Sequence, residues 1–582
     1  KVELSVAREH LYEAVASLAE VMSGIDAGST SYRDLTRMKQ ICTDAVHEAV
    51  NKPIRNNSDY VSKCISAYMY NGSLSSLKTK MDFLSSRQLP DSTELRLFNG
   101  ISSAFLDSQR NLTLRYSVMA DPDSVRTVFD SVWNLPKKPE DRPVYTVDDI
   151  PEAVNLVPKL KVKSVRTDPM SNGLVWTFSN GLTVVYRKME TNGRLYYNFA
   201  RNGGYSSIPD LEKGEGGYIS DYFLLGRFGD LPGAEFVNVL NAEGVAIDAY
   251  VGLSNMMLSG YAPKEKAALM MQAMLASVNA RTRDADAENY YTECLEIRNK
   301  AEKGTGKDRI VAIDSIMCKD YIYSSVRGLD SIPESISEKA ERYFASMSEK
   351  SNDGVLVLLG DMDESALRKV VLEYAGCFRT ADRAFRRPVT RYQPVSGWST
   401  YTVSGSEDCV DIAMSTPLSL SADNFMAAEI ASMVLRNRLS EALIGTGMYI
   451  TLEHECRIYP QERFNVMISL NEASPDGYSS STVPSGPIEA LAIVRSALDD
   501  VSVMDVDDAQ VNILKKQLKG SIALEMKDPF YWLNVISRRY LAGKDFTTGY
   551  ESKIDSVTAA KVKEILSALN EGSKVEYIIS RN

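Results

Sequence analysis

The sequence predicts an α+β protein that carries one domain type twice, and three observations support that expectation. Residues 12–53 and 488–529 align without a gap, at an offset of 488 − 12 = 476. In that register Glu13 falls on Glu489, Ala14 on Ala490, Ala16 on Ala492, Lys39 on Lys515 and Pro53 on Pro529. The apolar skeleton keeps the same phase: Val15, Leu18 and Met22 lie on Leu491, Val494 and Leu498, and Leu35, Met38 and Cys42 lie on Val511, Leu514 and Leu518. Both sets recur at i, i+3, i+7, the stripe of an amphipathic helix facing a core, and a repeat of this length marks a duplicated domain. Between the copies, short alternating runs and long helical patterns follow one another, as in sheets with helices on one face.

Taken in order, residues 1–120 read as helices over 6–22 and 35–50, helices near 59–71 and 92–107, and a strand at 111–119. Residues 529–541, 558–569 and 573–580 repeat that plan as helix, helix and strand, with Thr93 and Thr558 at expected N-cap positions. Residues 134–163 hold prolines at 136, 139, 143, 151 and 158, a density that prevents regular helix and predicts an extended connector. WTFSNGLTVVYRK (176–188) is a hairpin around Asn180-Gly181, YYNFARNGGY a further strand, and a helix is expected around 217–228. LPGAEFVNVLNAEGVAIDAYV reads as helix, glycine turn and strand, and helical patterns fill 263–303 and 334–349. A second alternation opens at GVLVLLGDM (354–362), then a helix, the strand CVDIAMSTPLS, a long helix from Phe425, and paired strands MYITLEHECRIYP and RFNVMISLNEA. The domains expected are therefore 1–133, a connector at 134–163, 164–350 and 351–582. Because the first copy lies at the start of the chain and the second at its end, residues 1–133 read as the closing part of a domain that begins upstream of Lys1.

Composition excludes several classes. The 582 residues are 44% apolar and 25% charged, as in globular proteins, and no apolar run reaches the length of a membrane span. A net charge of −11 without a basic cluster argues against nucleic acid as a partner. The 7 cysteines have no CxxC spacing and read as free thiols. Of the 3 histidines, His10 and His47 lie far apart, and His454 in TLEHEC faces away from Glu453 and Glu455, since alternate strand residues point to opposite faces. Gly304-Thr305-Gly306-Lys307 lacks the first glycine and the preceding strand of a phosphate loop, and reads as a turn ending a helix.

The order of elements resembles the zinc peptidase family of pitrilysin, insulin-degrading enzyme and mitochondrial processing peptidase. SNGLTVVYRK resembles that family's opening hairpin, GEGGYISDYFLLGRFG stands where its metal helix belongs, and FMAAEIASMVLRNRLSEALIGTGMYITLEHE resembles the long helix and glycine turn of the second domain in a half. SDYVSKCISAYMYNGSLSSLKTKMDFLSSRQLPDST is similar to the closing helices of a half. The resemblance implies two halves of two α+β domains each, closing around a peptide, with this chain supplying the second half and the end of the first.

The family's zinc motif is H-x-x-E-H, two imidazoles on one helix face with a glutamate to activate water. At the matching place stand Tyr218, Asp221 and Tyr222: two phenols and a carboxylate without a metal to serve. Glu293 and Glu296 are downstream acids at which a third ligand would be sought. The expectation is a degenerate site, with no catalytic residue and no zinc in this chain, and with zinc and base on a catalytic N-terminal half in cis or in trans. Tyr449 in GTGMYITL matches a substrate-holding tyrosine of the family; the arginine expected seven residues earlier is Ala442, with Arg436 and Arg438 nearby. Two functions follow: a non-catalytic half that helps enclose a peptide, or a wholly inactive binding or assembly subunit. A homo-oligomer stays open, and the bacterial periplasm or envelope is favoured over the cytoplasm.

Overall fold

In the computed structural model, the described residues are 6, 8–28, 30–51, 57–86, 91–106, 113–116, 119–136, 143–302, 309–318, 321–323, 332–333, 335–348, 354–378, 392–405, 408–472, 486–503 and 506–581. Among the described residues the regular elements of the N-terminal unit are helices: α1 Leu11–Asp26, α2 Tyr32–Asn51, α3 Asn57–Tyr70, α4 Leu77–Ser86, α5 Asp91–Leu106 and α6 Pro122–Trp133. Two expectations are corrected here. Of the strand expected at 111–119, residues 113–116 form no strand, because a strand needs a partner to take its backbone bonds, and residues 111–112 and 117–118 lie outside the described residues; Leu114 and Tyr116 instead pack beside α6. Thr93 lies inside α5 rather than at its N-cap. Helix α6 was not expected from the sequence. It is capped by Asp121, whose carboxylate accepts from Ser124 N, and starts at Pro122, whose fixed φ suits a first helical turn. Its Val125 and Phe129 cover Val15 and Ala19 of α1.

The next unit opens with β1 Val162–Thr167, β2 Leu174–Phe178, β3 Thr183–Lys188 and β4 Arg194–Asn202. Gly181 at φ 92° makes the turn that Asn180-Gly181 predicts between β2 and β3. There follow α7 Asp221–Leu225, β5 Arg227–Phe228, β6 Leu231–Pro232, α8 Gly233–Ala242, β7 Ala246–Val251 and β8 Asn255–Pro263. Then come α9 Ala267–Asn279, β9 Arg281–Thr282, α10 Ala285–Glu302, α11 Arg309–Met317, α12 Ser335–Ser348, β10 Gly354–Gly360 and α13 Glu364–Ala375. The main sheet has the order β1-β2-β3-β10-β4-β8-β7. Strand β10, which the sequence reading assigned to the 351–582 domain, is central to this sheet, parallel to β3 and antiparallel to β4. The sequence boundary at 350/351 therefore cuts through one sheet, and α13 packs into the same core.

The last unit holds β11 Trp398–Gly405, β12 Cys409–Pro417, α14 Ala422–Ala442, β13 Met448–Arg457 and β14 Arg463–Glu472. It ends with α15 Pro487–Val503, α16 Asp508–Glu525, α17 Pro529–Ala542, α18 Tyr550–Ser556, α19 Ala559–Glu571 and β15 Ser573–Arg581. Its sheet runs β11-β15-β12-β14-β13, and Thr558 caps α19 as expected, accepting from Lys561 N. The repeat is exact at helix starts: 11 + 476 = 487 for α1 and α15, and 32 + 476 = 508 for α2 and α16.

The seven-stranded sheet is not covered on one face alone. α8, α9, α12 and α13 bury one face around Phe199, Phe236 and Leu356. Helix α17, from the last unit, seals the other with Trp532, Leu533, Val535 and Ile536 against Val175, Val185, Tyr196, Val355 and Val357. Burial on both faces explains why β10 reads as an unbroken apolar run. Around this contact the Arg187 guanidinium lies 3.8 Å from the Trp532 ring centroid, Asn198 donates to Ser537 Oγ at 2.9 Å, and Arg539 pairs with Asp168 at 2.9 Å. From Ile150 to Val157 the connector is a docked strap. Ile150 is buried in the first core, Gln272 donates to its carbonyl at 3.2 Å, and Leu156 and Val157 donate to Gly376 O.

Candidate functional site

Tyr218 ends a single 3-10 turn, Gly216–Tyr218, and α7 begins at Asp221, so the helix expected around 217–228 is two short pieces joined through Ile219 and Ser220. Ser220 fastens this turn to β7, accepting from Val251 N at 2.8 Å. Arg281 holds its end, donating to Phe223 O at 2.9 Å and Tyr222 O at 2.6 Å, which satisfies carbonyls that a helix terminus leaves open. Tyr218 and Tyr222, four residues apart, point into the core and are fully buried.

Helix α10 meets them, and a hydrogen bond reaches each of the three motif residues. Asn299 donates to Tyr218 Oη at 3.1 Å, the Tyr222 and Thr292 hydroxyls lie 3.3 Å apart, and Tyr291 donates to the Asp221 carboxylate. The Tyr222 and Tyr291 rings meet edge to face with centroids 5.8 Å apart. Burial pushes the Tyr222 phenol above its ordinary value of 10.0, so it stays protonated at neutral pH. Glu293 is exposed, and Glu296 accepts from Ile332 N at 2.8 Å. Nearby, Glu215 receives two bonds from Lys339, at 2.7 and 3.0 Å, both side chains being buried.

A zinc ion wants several imidazole, thiolate or carboxylate donors with lone pairs to give. Here two buried, hydrogen-bonded phenols and one carboxylate already bonded to a tyrosine face the position, and these residues do not fit the metal. Among the described residues no group of three His, Cys, Asp or Glu side chains could hold a metal ion. Residues 304–307 lie outside the described residues.

The remaining sequence candidates lie apart from this place. His10 sits 2.8 Å from Glu13, His47 lies beside Asn51, and His454 Nε2 is 3.1 Å from Glu429 of α14. As strand alternation requires, His454 faces the helices while Glu453 and Glu455 face outward. Tyr449 is on that outward face too, 52% exposed, with Thr451 beside it and Asn465, Ser469 and Asn471 on β14. Arg436 is committed to Leu452 O at 3.0 Å and Arg438 to Glu441 at 3.4 Å. The outward face of β13 and β14 is thus polar and open at Tyr449, Thr451, Glu453 and Asn471, while Met467 on the same face packs against the first core; the motif region is closed. A cavity of 140 Å³ lies behind α7, lined by Phe199, Phe223, Leu258 and Phe344.

No family model matches the sequence, and no curated protein matches it. Solved structures do resemble it in arrangement. The periplasmic protease PqqL from Escherichia coli superposes with a TM-score of 0.60 at 13% identity, over 98% of this chain and 63% of that one. The ferredoxin protease FusC, solved as a variant with Arabidopsis ferredoxin, gives 0.59 at 15% identity over the same shares, 98% and 63%. A peptidase M16 inactive domain from Pseudomonas fluorescens gives 0.56 at 13% identity, over 71% of this chain and 98% of that one. The chain spans 63% of the length of the two proteases. In the arrangement of its sheets and helices, the chain has the pitrilysin-like fold of the M16 peptidases.

Proposed function

We propose that this chain is a non-catalytic half of a pitrilysin-like peptidase, forming a wall of a peptide-enclosing chamber while zinc and base reside on another half. One contrast supports the reading: the motif residues Tyr218, Asp221 and Tyr222 are closed by α10, whereas the polar face of β13 and β14 is open. Tyr218 and Tyr222 are fully buried, and the half-buried Asp221 is already bonded to Tyr291. An extended peptide lying on the open face would meet Tyr449, Thr451, Glu453 and Asn471, side chains able to hydrogen-bond its backbone. The same reading places the protein in the bacterial periplasm, in keeping with the periplasmic protease it resembles; no described helix is long and apolar enough to cross a membrane.

The experiment is metal analysis of the purified chain after dialysis without chelator, with a cleavage assay on an unstructured peptide. The expected result is no stoichiometric zinc and no cleavage. One zinc per chain, lost on Asp221→Ala, overturns the reading. Similarity to an inactive M16 domain favours a second reading, a wholly inactive binding or assembly subunit. A labelled unstructured peptide separates the two: anisotropy that rises with the chain and falls with Tyr449→Ala belongs to the chamber wall alone.

A further inference from the structure

Helices α7, α9 and α12 close over β4 and β8 without filling the space between them, and leave the cavity of 140 Å³ behind α7. Folded interiors hold few voids larger than a water molecule, and a cavity of about 150 Å³ takes one benzene ring. The floor is apolar: Phe199 of β4, Leu258 of β8, Phe223 of α7 and Phe344 of α12, all buried. The mouth lies where Asn279, at the end of α9, and Ala345 of α12 reach the surface, both exposed. Every lining residue falls within 199–345, so the cavity belongs to one unit of the chain.

One wall residue has hydrogen-bonding capacity to spare. The Arg281 side chain is 4% exposed. Its Cζ lies 4.6 Å from the Phe344 ring centroid and 5.9 Å from that of Phe223, so the guanidinium sits between two rings of the lining. A guanidinium carries five N–H donors. Phe223 O, Tyr222 O and the Glu341 carboxylate each take one, and one N–H on each terminal nitrogen is left without an acceptor among the described residues. A buried donor without an acceptor is costly, and a donor on each nitrogen matches the two oxygens of a carboxylate. We propose that this cavity binds a small monocarboxylate with a single-ring body, the ring between Phe199, Leu258 and Phe344 and the carboxylate on the spare N–H groups of Arg281. Because Arg281 also holds the end of α7 through Tyr222 O and Phe223 O, the bound anion steadies the turn that carries the degenerate motif. The site stands apart from the open face of β13 and β14 and requires no peptide to bind.

The test is calorimetric titration of the full chain with benzoate, and with benzamide and benzylamine as neutral and cationic bodies of the same size. The expected result is one benzoate per chain with a dissociation constant on the order of 10–100 μM, within the affinity a ligand of this size can reach. Benzamide and benzylamine bind about tenfold more weakly or worse, since neither presents two anionic oxygens. Hydrogen exchange of residues 216–225 slows with benzoate. Leu258→Phe fills the floor and weakens benzoate by about tenfold or more, with an unfolding midpoint equal to or above that of the unsubstituted chain, as cavity filling gives. Arg281→Met abolishes the preference for benzoate over benzamide. Should Leu258→Phe fail to fold, Ala345→Trp closes the mouth from the surface and gives the same reading. No saturable binding up to about 1 mM overturns the proposal. So does equal affinity for benzoate and benzamide, or benzoate binding that survives both Leu258→Phe and Ala345→Trp, because the anion then sits elsewhere.

Discussion

In the C-terminal copy of the repeat, α15 and α16 lay Leu491, Val494, Leu498, Val511, Leu514 and Leu518 against α14 and the five-stranded sheet, and all six are buried. In the N-terminal copy the equivalent residues are Val15, Leu18, Met22, Leu35, Met38 and Cys42, and only Val15 and Leu35 reach full burial. There α1 is covered by α6 together with α5, Leu114 and Tyr116, and α2 is fastened to the neighbouring sheet by polar contacts. Arg194 binds Asp44 and Glu48, Asn51 donates to Tyr196 Oη at 2.8 Å, and Arg33 pairs with Glu235 at 3.0 Å. One sequence pattern has thus been put to two uses, one copy held by apolar burial and the other largely by charge. An amphipathic stripe encodes that a face must be covered; it does not name the cover.

The largest effect expected from that contrast is Arg194→Ala. It strands Asp44 and Glu48, which are 12% and 21% exposed, without their cation, and breaking such a pair costs about 3–5 kcal/mol. Hydrogen exchange should quicken across α2 and stay unchanged across α15 and α16; a uniform change would show that the two copies are held alike. Next come paired truncations at one repeat position. Leu498→Ala should cost about 2–5 kcal/mol in denaturant unfolding, as a buried leucine does. Met22→Ala, half-buried, should cost roughly 1 kcal/mol. Equal losses would break the comparison.

A smaller effect follows from pH. Burial, then the Arg194 charge, holds His47 below its ordinary value of 6.5, so the folded state binds fewer protons than the unfolded one there. Stability from this group is therefore full above pH 6.5 and declines as pH falls through 6.5 towards the lowered value. Glu48 and Asp361 also face His47 and oppose this lowering. Asp44 works in the opposite sense: burial raises it above 3.8, so its contribution is most favourable in acid and lessens as pH rises through that window. Protection of α2 should fall between pH 7 and 5.5, and His47→Gln should flatten the decline. Smallest of all, Tyr449→Ala should leave the unfolding midpoint within about 0.5 kcal/mol, as exposed substitutions do.

Much of this fold is readable in the residues, for local reasons. The Asn180-Gly181 turn, the α14 helix, the β13–β14 pair and the repeat register are all written in patterns a few residues long. What was misread depends on distant partners. Residues 113–116 continue an alternation like that of a strand, but alternation supplies no neighbouring strand. GVLVLLGDM is plainly a strand, yet nothing local says that it enters between β3 and β4 rather than opening a new sheet. Helix α6 carried readable signals, an Asp-Pro start and Val125 and Phe129 four residues apart, and was lost beside the proline-rich connector. At the motif, the identities of Tyr218, Asp221 and Tyr222 were legible, but their partners Asn299, Tyr291 and Thr292 lie far along the chain.

The place of β10 also orders events during synthesis. Strands β3 and β4 are neighbours in sequence but not in space, and each pairs with β10, which is translated roughly 150 residues later. At about 5–20 residues per second, the ribosome leaves both strands without their central partner for roughly 8–30 s. Through that interval Val184, Val185, Tyr196 and Phe199 belong to apolar strands with one edge open, β3 being paired only with β2 and β4 only with β8, and such edges are templates for wrong pairing. Even then the outer face stays open until α17 emerges near the end of the chain. Release of a nascent chain before Trp532 has been added would leave a sheet that is paired but uncovered on its outer face.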